Sequence, residues 1–211
     1  MKILVFDTCL DKMYVSLADD DKILTSKIVT NKDNKYHSAF LISTIKEVLK
    51  ENNLRPEDID AIGTNIGPGS FTGIRACTTV ARMMAQQLNI QAVGVTSLEI
   101  LSHLNNTDKK TMVALDARKN CAYLYIDGSI NGAVDLENVK KLLSEENYYL
   151  ITDDKLQKIL GGDSYQQGEY QLGEILAKLS YNKLKQGFAK WQELKPLYIQ
   201  PPGVHGVNLS K

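Results

Sequence analysis

A chain of 211 residues in which 25 Lys and Arg are balanced by 25 Asp and Glu carries no net charge, so it lacks the basic excess with which a stand-alone nucleic-acid binder neutralises phosphates. With 43% hydrophobic and 24% charged residues it can bury a sizeable core, which excludes intrinsic disorder as the default and leaves room for two compact lobes. No apolar stretch reaches the length of a membrane span, and the first apolar run, residues 3–6, is too short for a signal peptide and ends in Asp7. Cys9, Cys77 and Cys121 are far apart in sequence and form no CxxC. Their apolar surroundings predict buried reduced thiols and a cytoplasmic location, with a cross-link as the alternative.

Three strand-like runs open the chain, over residues 3–6, 13–17 and 23–29, separated by polar turns as in an antiparallel meander. Asp19, Asp20 and Asp21 between the second and third run read as a solvated turn, because adjacent side chains on a hairpin diverge and do not converge on a cation. Leu41, Ile42, Ile45, Val48 and Leu49 predict a helix over 36–53, and after Arg55-Pro56 a buried strand is expected over 60–66. A glycine-rich loop then leads into a second helix reaching Leu88. A short strand over 92–95 precedes Thr96-Ser97-Leu98-Glu99, which has capping-box spacing and starts a third helix.

The second half begins with a near repeat of the first. Met112-Val113-Ala114-Leu115-Asp116 mirrors Leu4-Val5-Phe6-Asp7, and Tyr123 follows Asp116 at the interval by which Tyr14 follows Asp7. This predicts two lobes on one plan, over residues 1–104 and 105–200. Helices are expected over 136–143 and 172–184 with a strand over 148–151 between them. Past Trp191, Pro196, Pro201, Pro202 and Gly203 end regular structure, and 201–211 is expected to be a flexible tail.

Gly67-Pro68-Gly69-Ser70-Phe71-Thr72-Gly73-Ile74-Arg75 joins a strand to a helix, where free N–H groups and the helix dipole can hold an anion. It matches neither a Walker loop nor GxGxxG; the alternative is that its glycines allow a tight turn and close packing. Asp7 and Asp116 would face a cleft if the lobes paired as in actin, sugar kinases and heat-shock ATPases, where such carboxylates hold a nucleotide and its metal. The following residues, Thr8-Cys9-Leu10 and Ala117-Arg118-Lys119, contain no glycine through which a backbone could approach phosphates, so a turn-forming role is the alternative.

His37, His103 and His205 have no histidine or cysteine at i+3 or i+4, so no metal site is expected, and no local nucleophile motif occurs. On the second helix Ile74, Cys77, Ala81, Met84 and Leu88 should bury. Opposite them Arg75, Thr79, Arg82, Met83 and Gln86 form either an interface or an ordinary solvated face.

The nine-residue loop from Gly67 to Arg75 resembles the signature of the TsaB family. Phe6-Asp7-Thr8, Val95-Thr96-Ser97-Leu98, Leu115-Asp116-Ala117-Arg118 and Pro196-Leu197-Tyr198-Ile199 are similar to its other elements, in the same order. His37-Ser38 and Leu41 fit its His-Ser-Glu-x-Leu helix start except that Ala39 replaces Glu, and Gln200 stands where Arg is common.

The resemblance implies an α/β, actin-like (ASKHA) fold of two related lobes, each a mixed sheet with helices. It further implies a degenerate relative of the catalytic subunit TsaD, with Leu41 where the second histidine of TsaD's metal-binding His-x-x-x-His helix would stand. Such a chain would be the non-catalytic scaffold for synthesis of threonylcarbamoyladenosine beside the tRNA anticodon, a heterodimer partner of TsaD joined by TsaE. It would hold no cofactor itself, with ATP and metal on partner subunits, and would meet tRNA only through the complex and no membrane. The helix surface carrying Tyr36, Phe40, Arg75, Thr79, Arg82, Met83 and Gln86 would bind TsaD. Gly67, Gly69, Ser70, Thr72 and Gly73 would form the signature loop, and Asp7 and Asp116 a vestigial nucleotide cleft. The alternatives are a stand-alone actin-like phosphotransferase or metallopeptidase-like enzyme, and a homodimeric structural protein.

Overall fold

A computed structural model describes residues 1–30, 37–187 and 190–200; Tyr36 and the expected tail over 201–211 lie outside the described residues. The first sheet contains β1 (Lys2–Asp7), β2 (Met13–Asp19), β3 (Lys22–Val29), β4 (Ala61–Asn65) and β5 (Gln91–Val95), in the order β3-β2-β1-β4-β5. The opening meander is antiparallel, whereas β4 and β5 join β1 in parallel. Ile3, Leu4, Val5 and Phe6 form a continuous apolar run, as a central strand covered on both faces requires.

Alternate side chains serve the two faces of this sheet. Leu4 and Phe6 pack with α1 (Leu41–Glu51) and α2 (Phe71–Leu88). Ile3 and Val5 instead join the core between the lobes, with α3 (Ser97–Ser102) and α6 (Leu172–Gln186).

The second sheet, β10-β9-β6-β7-β8, is made of β6 (Lys110–Asp116), β7 (Cys121–Ile126), β8 (Ser129–Asp135), β9 (Tyr148–Thr152) and β10 (Asp163–Ser164). α4 (Leu136–Glu145) and α5 (Asp154–Leu160) cover its outer face. Both halves therefore run strand, strand, strand, helix, strand, helix, strand, helix, with the same strand order, which is the duplicated plan of an actin-like fold.

The duplication differs in detail from the repeat read in the sequence. Asp7 lies opposite Tyr14 across β1 and β2, but Asp116 lies opposite Ala122, and Tyr123 faces Leu115. The equal spacing thus conceals a one-residue slip in register. Each half also ends in a helix that packs on the other half's sheet, α3 on β6 and β7, and α6 on β1, β2, β4 and β5. Residues 105–200 consequently do not all belong with the second sheet, and Leu194 lies in the core beneath α2.

The expected helix over 36–53 starts later. A 3-10 turn, His37–Phe40, precedes α1, and the Ser43 and Thr44 hydroxyls donate to the Phe40 carbonyl at this uncapped start. In α2, Met84 and Leu88 are only half-buried, whereas Ala85 is buried with Ile74, Cys77, Thr78 and Ala81. Small residues at 81 and 85 let the helix lie close to the sheet, and the larger side chains move to its flanks. Asn89, in the left-handed region, ends it. β8, α5 and β10 are too short or carry too little periodic apolar signal to be read from the sequence.

Candidate partner-binding face and interlobe cleft

The glycine-rich loop is built for close approach. A Cβ on Gly73 would sit 1.8 Å from the Thr8 carbonyl oxygen, and one on Gly69 would sit 2.4 Å from that of Cys9. The first turn of α2 is thereby pressed against the turn that follows β1. Ser70 N–H donates to Cys9 O at 2.8 Å, Gly73 N–H donates to the capping Ser70 hydroxyl at 3.2 Å, and Gly67 N–H donates to Asn65 Oδ1 at 2.8 Å. These donors are used within the chain, which favours the packing reading of the loop over the anion reading.

Asp7 is 1% exposed and accepts from Cys9 N–H at 2.6 Å and Asn65 Nδ2 at 2.9 Å. Asn65 also meets the Ser97 hydroxyl at 2.8 Å, so the carboxylate belongs to a buried network tying β1, β4 and α3 together. Asp116 does line the interlobe cleft, a cavity of about 960 Å³. Its oxygens accept from Arg118 N–H at 3.1 Å and Lys155 Nζ at 2.7 Å. The pair expected to face one another across a cleft is therefore split, with one carboxylate enclosed and the other in a turn and an ion pair. Tyr165 also lines the cavity, and burial pushes its phenol well above the ordinary range, leaving a neutral hydroxyl.

The cysteines meet the sequence expectation of buried free thiols at Cys9 and Cys77 and miss it at Cys121, and the two that are far apart in sequence are neighbours in the fold. Cys9 and Cys77 are both buried with their sulfurs 3.5 Å apart, while Cys121 is half-buried elsewhere. Burial pushes the Cys9 thiol well up. With Asp7 they form the group among the described residues whose donor atoms lie close enough together to hold a metal ion. Spacing could not have found it, since α2 and the turn after β1 meet only in the fold.

On the outer face of α2, Arg75, Thr79, Met83 and Gln86 are exposed, Met83 by 60%. Phe71 in α2 and Ile42 in α1 are also exposed, and Phe40 is half-buried against the core. Arg82 departs from expectation. It is half-buried, donates through Nη1 to Leu194 O at 3.1 Å and lies 5.8 Å from the Trp191 ring. The Arg75 guanidinium stacks 4.0 Å over Phe71, and its Nε donates to the Tyr198 hydroxyl at 3.2 Å. Residues 191–198 thus clasp α2, adding Trp191 and Tyr198 to a face that helical periodicity alone assigned to one helix.

A family profile described as "TsaD: tRNA N6-adenosine threonylcarbamoyltransferase" matches residues 22–145, more than half of the chain. The Bacillus subtilis protein named tRNA threonylcarbamoyladenosine biosynthesis protein TsaB is 29% identical over 78% of this chain and 72% of its own length. The Escherichia coli protein of the same name is 24% identical over 76% and 68%. A Buchnera aphidicola TsaB is matched over 55% of its length, so the chain spans about half of that relative. The solved structure of YeaZ from Pseudomonas aeruginosa superposes with a TM-score of 0.73 at 19% identity, covering 93% of this chain and 99% of that one. The chain belongs to the TsaB/YeaZ family.

Within that TsaB/YeaZ assignment, the Gly67–Arg75 signature is a packing device between two segments of the first lobe, and its Arg75 anchors the Pro196-Leu197-Tyr198-Ile199 element. Two resemblances read separately from the sequence are thus one contact. Among the described residues no helix is long and apolar enough to cross a membrane.

Proposed function

We propose that the chain acts in tRNA threonylcarbamoyladenosine synthesis as a non-catalytic scaffold, pairing with TsaD through the outer surfaces of α1 and α2. The observation that carries this reading is the contrast between an elaborated helix face and a spent cleft. α2 is an 18-residue helix seated on small residues and presents exposed Met83, Phe71 and Arg75 on a rigid support. Meanwhile Asp7 and Asp116, the carboxylates that would serve phosphoryl chemistry, are held by turn N–H groups and by Lys155. ATP and the metal that serves the chemistry then belong to the partner subunits, with TsaE joining the pair.

Two helices from each partner can bury the roughly 1,600 Å² that a stable complex needs, and truncating a central Met or Arg in such an interface can cost over about 2 kcal/mol. Met83→Asp is the informative variant, because its side chain faces solvent and its loss leaves the fold intact. Arg82→Glu is not, since Arg82 supports residues 191–194 of its own chain. Calorimetric titration of Met83→Asp with TsaD should show binding weakened by at least about 30-fold and a matching loss of tRNA modification in the reconstituted system. A folded variant that binds TsaD as tightly as the parent chain places the interface elsewhere. Loss of self-association with undiminished TsaD binding assigns the face to a homodimer instead.

A further inference from the structure

We propose that Asp7, Cys9 and Cys77 form a binding site for a thiophilic divalent cation of the zinc class, which fastens α2 to the turn after β1. One carboxylate oxygen and the two sulfurs lie within 4.8 Å of one another, and all three residues are buried. The two sulfurs are 3.5 Å apart, close to the roughly 3.8 Å that separates two thiolates bound tetrahedrally to one zinc at about 2.3 Å. Little rearrangement is therefore needed for both to reach one ion.

The donor set selects the metal class. Two sulfurs with one carboxylate suit zinc or its soft relatives, whereas magnesium and calcium require oxygen cages. The two thiols now donate to backbone carbonyls, Cys77 Sγ to Gly73 O at 3.0 Å and Cys9 Sγ to Asn65 O at 3.4 Å, and binding would replace those contacts with bonds to the ion, a water from the cleft completing the four ligands. The surrounding contacts also resemble those that orient metal ligands. Asp7 is held by Cys9 N–H and Asn65 Nδ2, and the Thr8 hydroxyl lies 3.1 Å from Cys77 Sγ. An entry path exists because Cys9 lines the interlobe cleft.

Binding would exchange two thiol protons for one dication, giving a bis-thiolate carboxylate centre of charge −1 and two released protons. Its effect would be structural, because Asp7 and Cys9 belong to the end of β1 and the following turn, and Cys77 to the second turn of α2. The site stands independently of whether α2 binds TsaD.

The full chain, reduced and stripped of metal with a chelator, is titrated with Cd²⁺ and followed by ultraviolet thiolate-to-metal charge transfer. A parallel sample receives Zn²⁺ and is melted. One equivalent of Cd²⁺ should saturate the band, and Zn²⁺ should raise the thermal midpoint by several degrees. Cys9→Ser and Cys77→Ser should each lose the band, Cys121→Ser should keep it, and Asp7→Asn should keep it with affinity lowered about tenfold. Absence of both the band and the thermal shift in the reduced parent chain overturns the proposal without recourse to variants. So does a band that survives Cys77→Ser, or a pair that takes up no metal after reduction and only converts to a disulfide.

Discussion

The turn after β1 and the turn after β6 occupy the same place in the two halves and start with the same residue, yet they are packed in opposite ways. Asp7 is enclosed, and the turn behind it lies under α2, with Thr8 Oγ1 donating to Gly73 O at 2.7 Å. Asp116 stays partly exposed. Its turn is carried by three consecutive left-handed residues, Arg118, Lys119 and Asn120, and lines the cleft. The difference begins with the helix on the far side. α2 is long and starts with glycines that admit the opposing backbone, whereas the equivalent α5 has seven residues and reaches over with Asp153 and Lys155 side chains. A duplicated topology has therefore not duplicated a site: close packing consumed one carboxylate, and ion pairing the other.

The sharpest way to break this comparison is to prevent the close approach. In Gly73→Val a Cβ would meet Thr8 O at 1.8 Å, a clash of backbone with backbone that no rotamer relieves. The expected loss is about 3 kcal/mol or more, enough to unfold much of the first lobe in a thermal melt. In the second half Gly128 has a positive φ of 95° and nothing near its Cβ position, so Gly128→Ala should cost only about 1 kcal/mol through strain. Similar midpoints for the two variants would show that the glycine loop is not the packing device described.

Next in size comes the pair of aspartates. Asp7→Asn places an amide among two donors, Cys9 N–H and Asn65 Nδ2, and should leave a buried polar group unsatisfied at a cost of about 2–3 kcal/mol. Asp116→Asn keeps an oxygen for Arg118 N–H and loses an ion pair whose Lys155 partner is 61% exposed, worth under about 1 kcal/mol. Urea denaturation of both variants measures the contrast, and equal losses would make the two turns energetically equivalent.

The order of elements was largely legible because apolar runs and turn residues are local signals. The central run over Ile3–Phe6, the N-cap at Thr96 and the exposed Arg75, Thr79, Met83 and Gln86 all follow from spacing along one strand or helix. What stayed hidden depends on distant segments meeting. Cys9 and Cys77 are separated by 68 positions, and Arg82 finds its acceptor 112 residues later at Leu194. The exchange of α3 and α6 between sheets leaves no periodic trace, because a helix buries one stripe whichever sheet it covers. Glu99 illustrates the limit within a correctly placed helix: it stands at the capping-box position, but its carboxylate pairs with Lys183 of α6 at 2.8 Å.

A smaller effect sharpens the role of the terminal clasp. Arg82→Ala removes the bond to Leu194 O and the stacking near Trp191, which together should stabilise the first lobe by about 1 kcal/mol. In the second half α5 is held instead by the segment that directly follows it, Ser164 and Gln167 donating to Asp154 and Gln157, and has no contact with residues 191–198 among those described. Hydrogen exchange should therefore rise in residues 191–198 and along α2, and remain unchanged in α4 and α5. Exchange rising equally in both halves would mean that the clasp is not local to α2.

The smallest effect concerns the edge of the second sheet, where β10 has two residues against five in the corresponding β5. With so little backbone pairing, side chains carry more of the edge. The Tyr149 phenol is pushed up to about 12, chiefly by its hydrogen bond to Asp163, which joins β9 to β10. A raised value means that the folded chain favours the protonated phenol. Its stabilisation is therefore complete below the unfolded value near 10 and is lost as pH rises through about 12. Tyr149 is only half-buried, so solvent screening reduces the contribution to a few tenths of a kcal/mol. Tyr149→Phe should then melt slightly below the parent chain at pH 8, and the gap should narrow as pH is raised from about 10 toward 12. A gap that stays constant over that window would show that the phenol contributes packing alone, and that the short edge is held by its backbone pairing with β9.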